Sequence, residues 1–117
     1  MILNDIKQKL EEFDPVVFYG CVDEDSKDIK NCWDYTVFNR TKLRIAPDKN
    51  SFIDLIEVHI VREEYVPDGT DTEVIAKMRS IPGVKLASED GTYTYTRKPG
   101  TGTVVEMLTL TFTRARK

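Results

Sequence analysis

The sequence predicts an α+β domain: an antiparallel-dominated or mixed sheet of about five to six strands with two helices packed on one face. Three observations carry this expectation. Residues 51–66 and 103–113 alternate apolar and polar side chains with a period of two. Residues 2–13 and 70–81 instead repeat apolar side chains every three or four positions. The segments between them are short and rich in turn formers, which favours neighbouring strands that run in opposite directions.

A chain of 117 residues fits one domain, residues 1–117, and is long enough to bury a core without a metal or disulfide. Its net charge of −3 supplies no general attraction to nucleic acid or to an anionic membrane. No apolar run approaches the roughly 20 residues of a membrane span, and no basic leader precedes the first helix. The two cysteines, Cys21 and Cys32, lack the density of a secreted disulfide scaffold, so the expected compartment is the cytoplasm, with both thiols reduced.

In chain order, Ile2, Leu3, Ile6, Leu10 and Phe13 form the apolar stripe of the first helix, which Asp14-Pro15 ends because the residue before proline is pushed out of the helical region. Residues 16–21 and 32–38 read as two short strands, with Trp33, Tyr35 and Val37 on one side of the second. If they pair as a hairpin, Cys21 and Cys32 flank its loop. Residues 39–45 read as a third, basic strand carrying Arg40, Lys42 and Arg44 on one side. No aromatic residue is interleaved with that trio, which speaks against direct nucleic-acid binding; bases on a strand edge commonly guard it against unwanted pairing.

The stretch 51–66 is the spine of the chain. Ile56, Val58 and Ile60 lie on its core side and Glu57, His59 and Glu63 on the other. The last strand matches it, with Val104, Leu108, Leu110 and Phe112 facing one way. Between the two, Thr70 and Glu73 have the spacing of a capping box, with Asp71 and Thr72 as alternative caps. Val74, Ile75, Met78 and Ile81 make the stripe of the second helix, which Pro82-Gly83 stops. Residues 84–86 start a short strand, and Glu89-Asp90-Gly91 reads as a tight hairpin turn into the Thr-Tyr alternation of residues 92–96. Arg97, Lys98, Gly100 and Gly102 belong to the following loop, and Arg114 and Arg116 to a basic tail.

The catalytic inventory is thin. His59 is the single histidine, there is no nucleophile elbow, and Glu57 with His59 supplies only two ligands to a metal. Gly100-Thr101-Gly102 precedes a strand, so it lacks the helix N-terminus of a phosphate cradle. Glu63 and Glu64 point to opposite faces of a strand. The expectation is a protein that is not an enzyme and that has no cofactor, metal or catalytic residue. Charge is unevenly spread: residues 1–33 hold eight acids and four bases, whereas residues 97–117 hold one acid and five bases. Such ends can complement one another within a subunit or between subunits.

The run Val61-Arg62-Glu63-Glu64-Tyr65-Val66-Pro67 resembles the middle of small tail proteins encoded by phages and prophages of Gram-positive bacteria. The resemblance continues through Ile81-Pro82-Gly83, Tyr93-Thr94-Tyr95, Lys98-Pro99 and Val104-Val105-Glu106-Met107-Leu108, and includes Trp33-Asp34-Tyr35 with Phe38-Asn39-Arg40. These proteins are tail terminators, also described as tail completion proteins. The resemblance implies a small α+β subunit that forms a ring, typically a hexamer, on the head-proximal end of the tail tube. Its partners would be its own copies, the tail tube protein and the head–tail connector proteins, first in the host cytoplasm and then in the virion tail. It carries over no catalytic residue. The family's surfaces are strand edges, loops and charged ring faces, for which Arg40, Lys42, Arg44, Arg97, Lys98, Gly100, Gly102, Arg114 and Arg116 are the candidates here. A head–tail connector component and a ligand-binding or regulatory α+β domain are the alternative readings.

Overall fold

The computed structural model describes residues 2–14, 16–20, 34–45, 47, 51–87, 91–97 and 102–116. They form α1 (Ile2–Phe13), β1 (Val17–Tyr19), β2 (Tyr35–Ile45), β3 (Phe52–Glu63), α2 (Thr70–Arg79), β4 (Val84–Leu86), β5 (Thr92–Arg97) and β6 (Val104–Arg116). The six strands make one α+β sheet in the order β1-β2-β3-β6-β4, with β5 also paired to β6; every pair is antiparallel except β1 with β2. The body measures 52 × 28 × 22 Å, its length set by the twelve- and thirteen-residue strands β3 and β6.

The period of two in β3 and β6 translates directly into the core. Ile56 stands opposite Phe112, Val58 opposite Leu110, and Ile60 opposite Leu108, and all six are buried. Phe38 of β2, Ile6 and Leu10 of α1, and Val74 and Met78 of α2 join them in one apolar cluster. Strand residues of the other parity, Glu57, His59, Thr109 and Thr111 among them, point to the opposite face and are only half buried.

Four expectations are corrected. Residues 35–45 are one strand, with a β-bulge between Arg40 and Lys42 where Thr41 has no register partner on β3, although its hydroxyl donates to the Leu55 carbonyl at 3.4 Å. The strands on either side of the Cys21–Cys32 segment are not a hairpin: Val17 pairs with Thr36 and Tyr19 with Phe38 in parallel register. The fifteen residues 20–34 between them match the dozen or more that a parallel connection needs. Cys21, Cys32 and Trp33 lie outside the described residues.

The third correction concerns the turn read at Glu89-Asp90-Gly91. β4 and β5 both run antiparallel to β6, along the same edge, so they point the same way and cannot be the two arms of a hairpin. Glu89 and Asp90 lie outside the described residues. Gly91 has a different role: a Cβ there would stand 3.0 Å from Leu110 Cδ2 and 3.2 Å from Leu108 Cδ1, so its bare backbone lets the edge sit tightly over the core. The fourth concerns the start of α2. Its N-cap is Gly69, at φ 90°, and no side chain caps it; Thr70 is instead a buried first residue of the helix.

The parallel pairing of β1 has a cause in a buried polar cluster. Asp14, directly after α1, accepts from Thr36 Oγ1 at 2.8 Å and from the Val16 amide at 3.0 Å, and pairs with Arg62 Nη2 at 3.0 Å. Arg62 Nη1 also donates to the carbonyls of Val61 (2.8 Å) and Tyr35 (3.2 Å), and its guanidinium lies 5.5 Å from the Phe13 ring centre. These contacts hold the chain leaving α1 beside the start of β2, so β1 runs alongside β2 in the same direction.

Candidate interaction edges

Besides the outer sides of the three-residue strands β1 and β4, two longer stretches of this sheet offer strand edges with no strand neighbour among the described residues. β1 covers β2 only from Thr36 to Phe38, which leaves Arg40–Ile45 without a partner on that side. On the opposite side of the sheet, β5 pairs with β6 along one edge and presents the other, and all six of its residues are exposed.

The β2 edge carries the predicted basic trio, but the bulge divides it. Arg40 stands opposite the buried Ile56 and so belongs to the core side of the sheet. Lys42 and Arg44, opposite Leu55 and Ile53, belong to the other face. An uninterrupted alternation would place all three on one side; one extra residue at the bulge reverses every side chain after it. The same reversal puts Leu43 and Ile45 on the core side, where they are 50 % and 56 % exposed. Arg40 Nε donates to the Tyr19 hydroxyl at 3.1 Å, while Lys42 and Arg44 are exposed.

The β5 edge has the opposite chemistry. Tyr93 and Tyr95, opposite Leu108 and Glu106, share the core side and are 46 % and 64 % exposed. The Tyr95 hydroxyl bonds to the Glu106 carboxylate, which raises its pKa above the ordinary value. That of Tyr93 is raised by partial desolvation first and then by the negative charges of Asp71, Glu106 and Asp68. Glu106 is itself held in place, accepting the Val66 amide at 2.7 Å. The acids of this edge come from α2, the turn before it and β6, so no single stretch of the sequence shows them together.

The remaining candidates are dispersed. Arg97 Nη1 donates to the Gly102 carbonyl at 2.8 Å, across the β5–β6 connection; Gly102 holds φ 73°. Lys98 and Gly100 lie outside the described residues. Arg114 and Arg116 are not a tail, since β6 continues through Arg116. Arg114 is half buried, opposite Asp54 on β3 and Val84 on β4, and its Nε has no hydrogen-bond partner among the described residues.

His59 sits on the half-buried face, between Val37 of β2 and Thr109 of β6. Its Nδ1 is 2.9 Å from Thr109 Oγ1 and its Nε2 is 3.7 Å from Glu57 Oε1. The hydroxyl, ring and carboxylate lie in the order of a nucleophile–base–acid relay. Thr109 is mid-strand, however, with neighbours on both sides, so its backbone amides serve the sheet and none is left to stabilise an oxyanion. Among the described residues there is no cluster of three or more metal-ligating side chains.

Burial lowers the His59 pKa, outweighing the opposing attraction of Glu57. The folded state therefore favours the neutral ring, and this contribution to stability is complete above the unfolded value of about 6.5 and is lost as pH falls through the lower folded value. Urea unfolding at about pH 7.5 and pH 5 should show a smaller pH-dependent loss in His59→Gln than in the parent chain. Equal losses would mean that the ring is as easily protonated in the folded protein as in the unfolded one.

Fold and surface together define a small α+β protein whose distinctive feature is a pair of unlike strand edges. No protein-family model matches the chain, and no curated protein matches it. Among the described residues, no helix is long and apolar enough to cross a membrane.

Proposed function

We propose that the chain is a structural subunit of a phage tail, a tail terminator that assembles as a ring on the head-proximal end of the tail tube and receives the head connector there. The observation that carries this reading is the presence of two different strand edges on opposite sides of one sheet, basic on β2 and tyrosine-rich with acidic neighbours on β5. A closed ring of identical subunits is built from heterologous contacts, so each subunit needs two different, complementary surfaces. The sequence resemblance to tail terminators of Gram-positive phages points to the same role. The open grooves fit a small-molecule function poorly. The cleft along α1 and α2 is lined by Lys9, Glu12 and Lys77, whose charges already engage one another at 3.1–3.6 Å.

The test is reconstitution with tail tubes. Tubes polymerised with the protein should end in a capped face and remain short in negative-stain images, while tubes without it grow overlong. Reversing the exposed Arg97, together with Lys98, to glutamate should weaken capping and restore the long tubes without unfolding the subunit. Tube lengths unaffected by excess parent protein would overturn the reading, and full capping by the double variant would remove the β5–β6 connection from it.

A further inference from the structure

We propose that copies of this chain join by strand addition, the β5 edge of one copy pairing antiparallel with the Arg40–Ile45 edge of the next, so that Leu43 and Ile45 meet Tyr93 and Tyr95. The inference rests on the reading above for its choice of a second copy as the partner; the contact itself is argued from the two edges.

The directions agree. β2 and β6 run the same way and β5 runs against both, so a β5 strand laid on the outer side of β2 continues the antiparallel alternation of the sheet. The lengths are compatible as well: with Leu43 opposite Tyr95 and Ile45 opposite Tyr93, residues 41–45 of β2 lie along residues 93–97 of β5. Main-chain hydrogen bonds would then satisfy the polar groups of both edges that have no strand partner among the described residues.

The side chains agree in face and spacing. Leu43 and Ile45 are two residues apart on the core side of β2, and Tyr93 and Tyr95 are two residues apart on the core side of β5. A sheet continued from one copy to the next keeps its faces, so the pairs fall on the same surface. Aromatic residues opposite aliphatic ones are favourable cross-strand neighbours. On the other face Lys42 and Arg44 would meet the threonines of β5, small side chains that leave the long cations free to reach solvent.

Charge decides between this contact and the obvious competitor, β2 pairing with β2. That arrangement would set Arg40, Lys42 and Arg44 against a second set of the same cations, the device by which edge strands resist self-pairing. The β5 edge sets threonines against Lys42 and Arg44, and its acidic neighbours Glu106, Asp71 and Asp68 lie towards its core side, the side that carries Arg40 on β2 and Arg97 on β5. The contact is therefore head-to-tail, with each copy using a different edge on each side.

Paired cysteines test the contact. In a background of Cys21→Ser and Cys32→Ser, Leu43→Cys is combined with Tyr93→Cys in one variant and with Tyr95→Cys in another. The concentrated, isolated protein is then oxidised. One of the two double variants should give a ladder of disulfide-linked oligomers, about tenfold above the yield of any single-cysteine variant. Ladders should weaken when Arg40→Glu and Lys42→Glu are added. A linked dimer from Leu43→Cys alone, as abundant as any product of the double variants, would identify β2–β2 pairing and overturn the proposal. So would the absence of ladders from double variants that unfold cooperatively. If the serine background does not fold, a benzophenone side chain at position 43 of the otherwise native chain, crosslinked by light and mapped by mass spectrometry, gives the same decision: adducts on β5 support it and adducts elsewhere overturn it. Tubes capped by protein that never crosslinks at these positions would remove the edge contact and leave the terminator reading. Ladders from protein that caps no tube would do the reverse.

Discussion

Arg62→Met should destabilise the protein by about 3–5 kcal/mol, because it leaves a buried carboxylate without its cation. Asp14 is 4 % exposed, and its side chain is held by Arg62, Thr36 and the Val16 amide. Arg62 contributes more than charge. One guanidinium reaches Asp14 and the carbonyls of Tyr35 and Val61, three acceptors that converge from the α1–β1 connection, β2 and β3. A lysine keeps the charge but has a single ammonium group, so Arg62→Lys should recover only part of the loss. Equilibrium unfolding in urea measures both variants. A cost for Arg62→Met below about 1 kcal/mol would place the pair among exposed ion pairs and remove its role in holding β1 beside β2.

Val58→Asp should abolish cooperative folding altogether. Val58 is wholly buried at the centre of β3, flanked by Phe38 of β2 and Leu110 of β6. An unpaired charge there costs several kcal/mol, against a total stability of roughly 5–15 kcal/mol for a domain of this kind. Thr113→Asp is the matching control. It lies on the same sheet but on the other face, opposite Leu55 and Lys85, and should change stability little. Circular dichroism during heating distinguishes the two. A soluble Val58→Asp protein with a sharp transition would show that β3 can turn its other face inward.

These two predictions mark different depths of legibility. Val58 could be assigned to the core from sequence because its neighbours alternate, and alternation is a property of the extended chain itself. The same holds for Ile56 and Ile60, for Leu108, Leu110 and Phe112, and for the Ile6, Leu10, Val74 and Met78 positions of the two helices. The Asp14–Arg62 pair left no such trace. Asp14 reads in sequence as the polar stop of a helix, and Arg62, forty-eight residues later, as one charge among several at the end of a strand. Only folding brings them to 3.0 Å.

The candidate surface divides along the same line. The sequence by itself determined that Arg40, Lys42 and Arg44 form a basic strand segment, that Tyr93 and Tyr95 share a face, and that the two long strands bury Ile56, Val58, Ile60, Leu108, Leu110 and Phe112. These are consequences of local chain geometry, which repeats every two residues in a strand and every 3.6 in a helix. The tertiary structure alone decided which edges lack a strand partner among the described residues, that β1 runs parallel to β2, that β4 and β5 share one edge of β6, and that the bulge at Thr41 turns Arg40 away from Lys42 and Arg44. Strand partners, directions and bulges depend on how residues distant in sequence satisfy one another's hydrogen bonds and fill a common core. No local period records that, so the unlike edges from which function is inferred come into view only once the sheet is assembled.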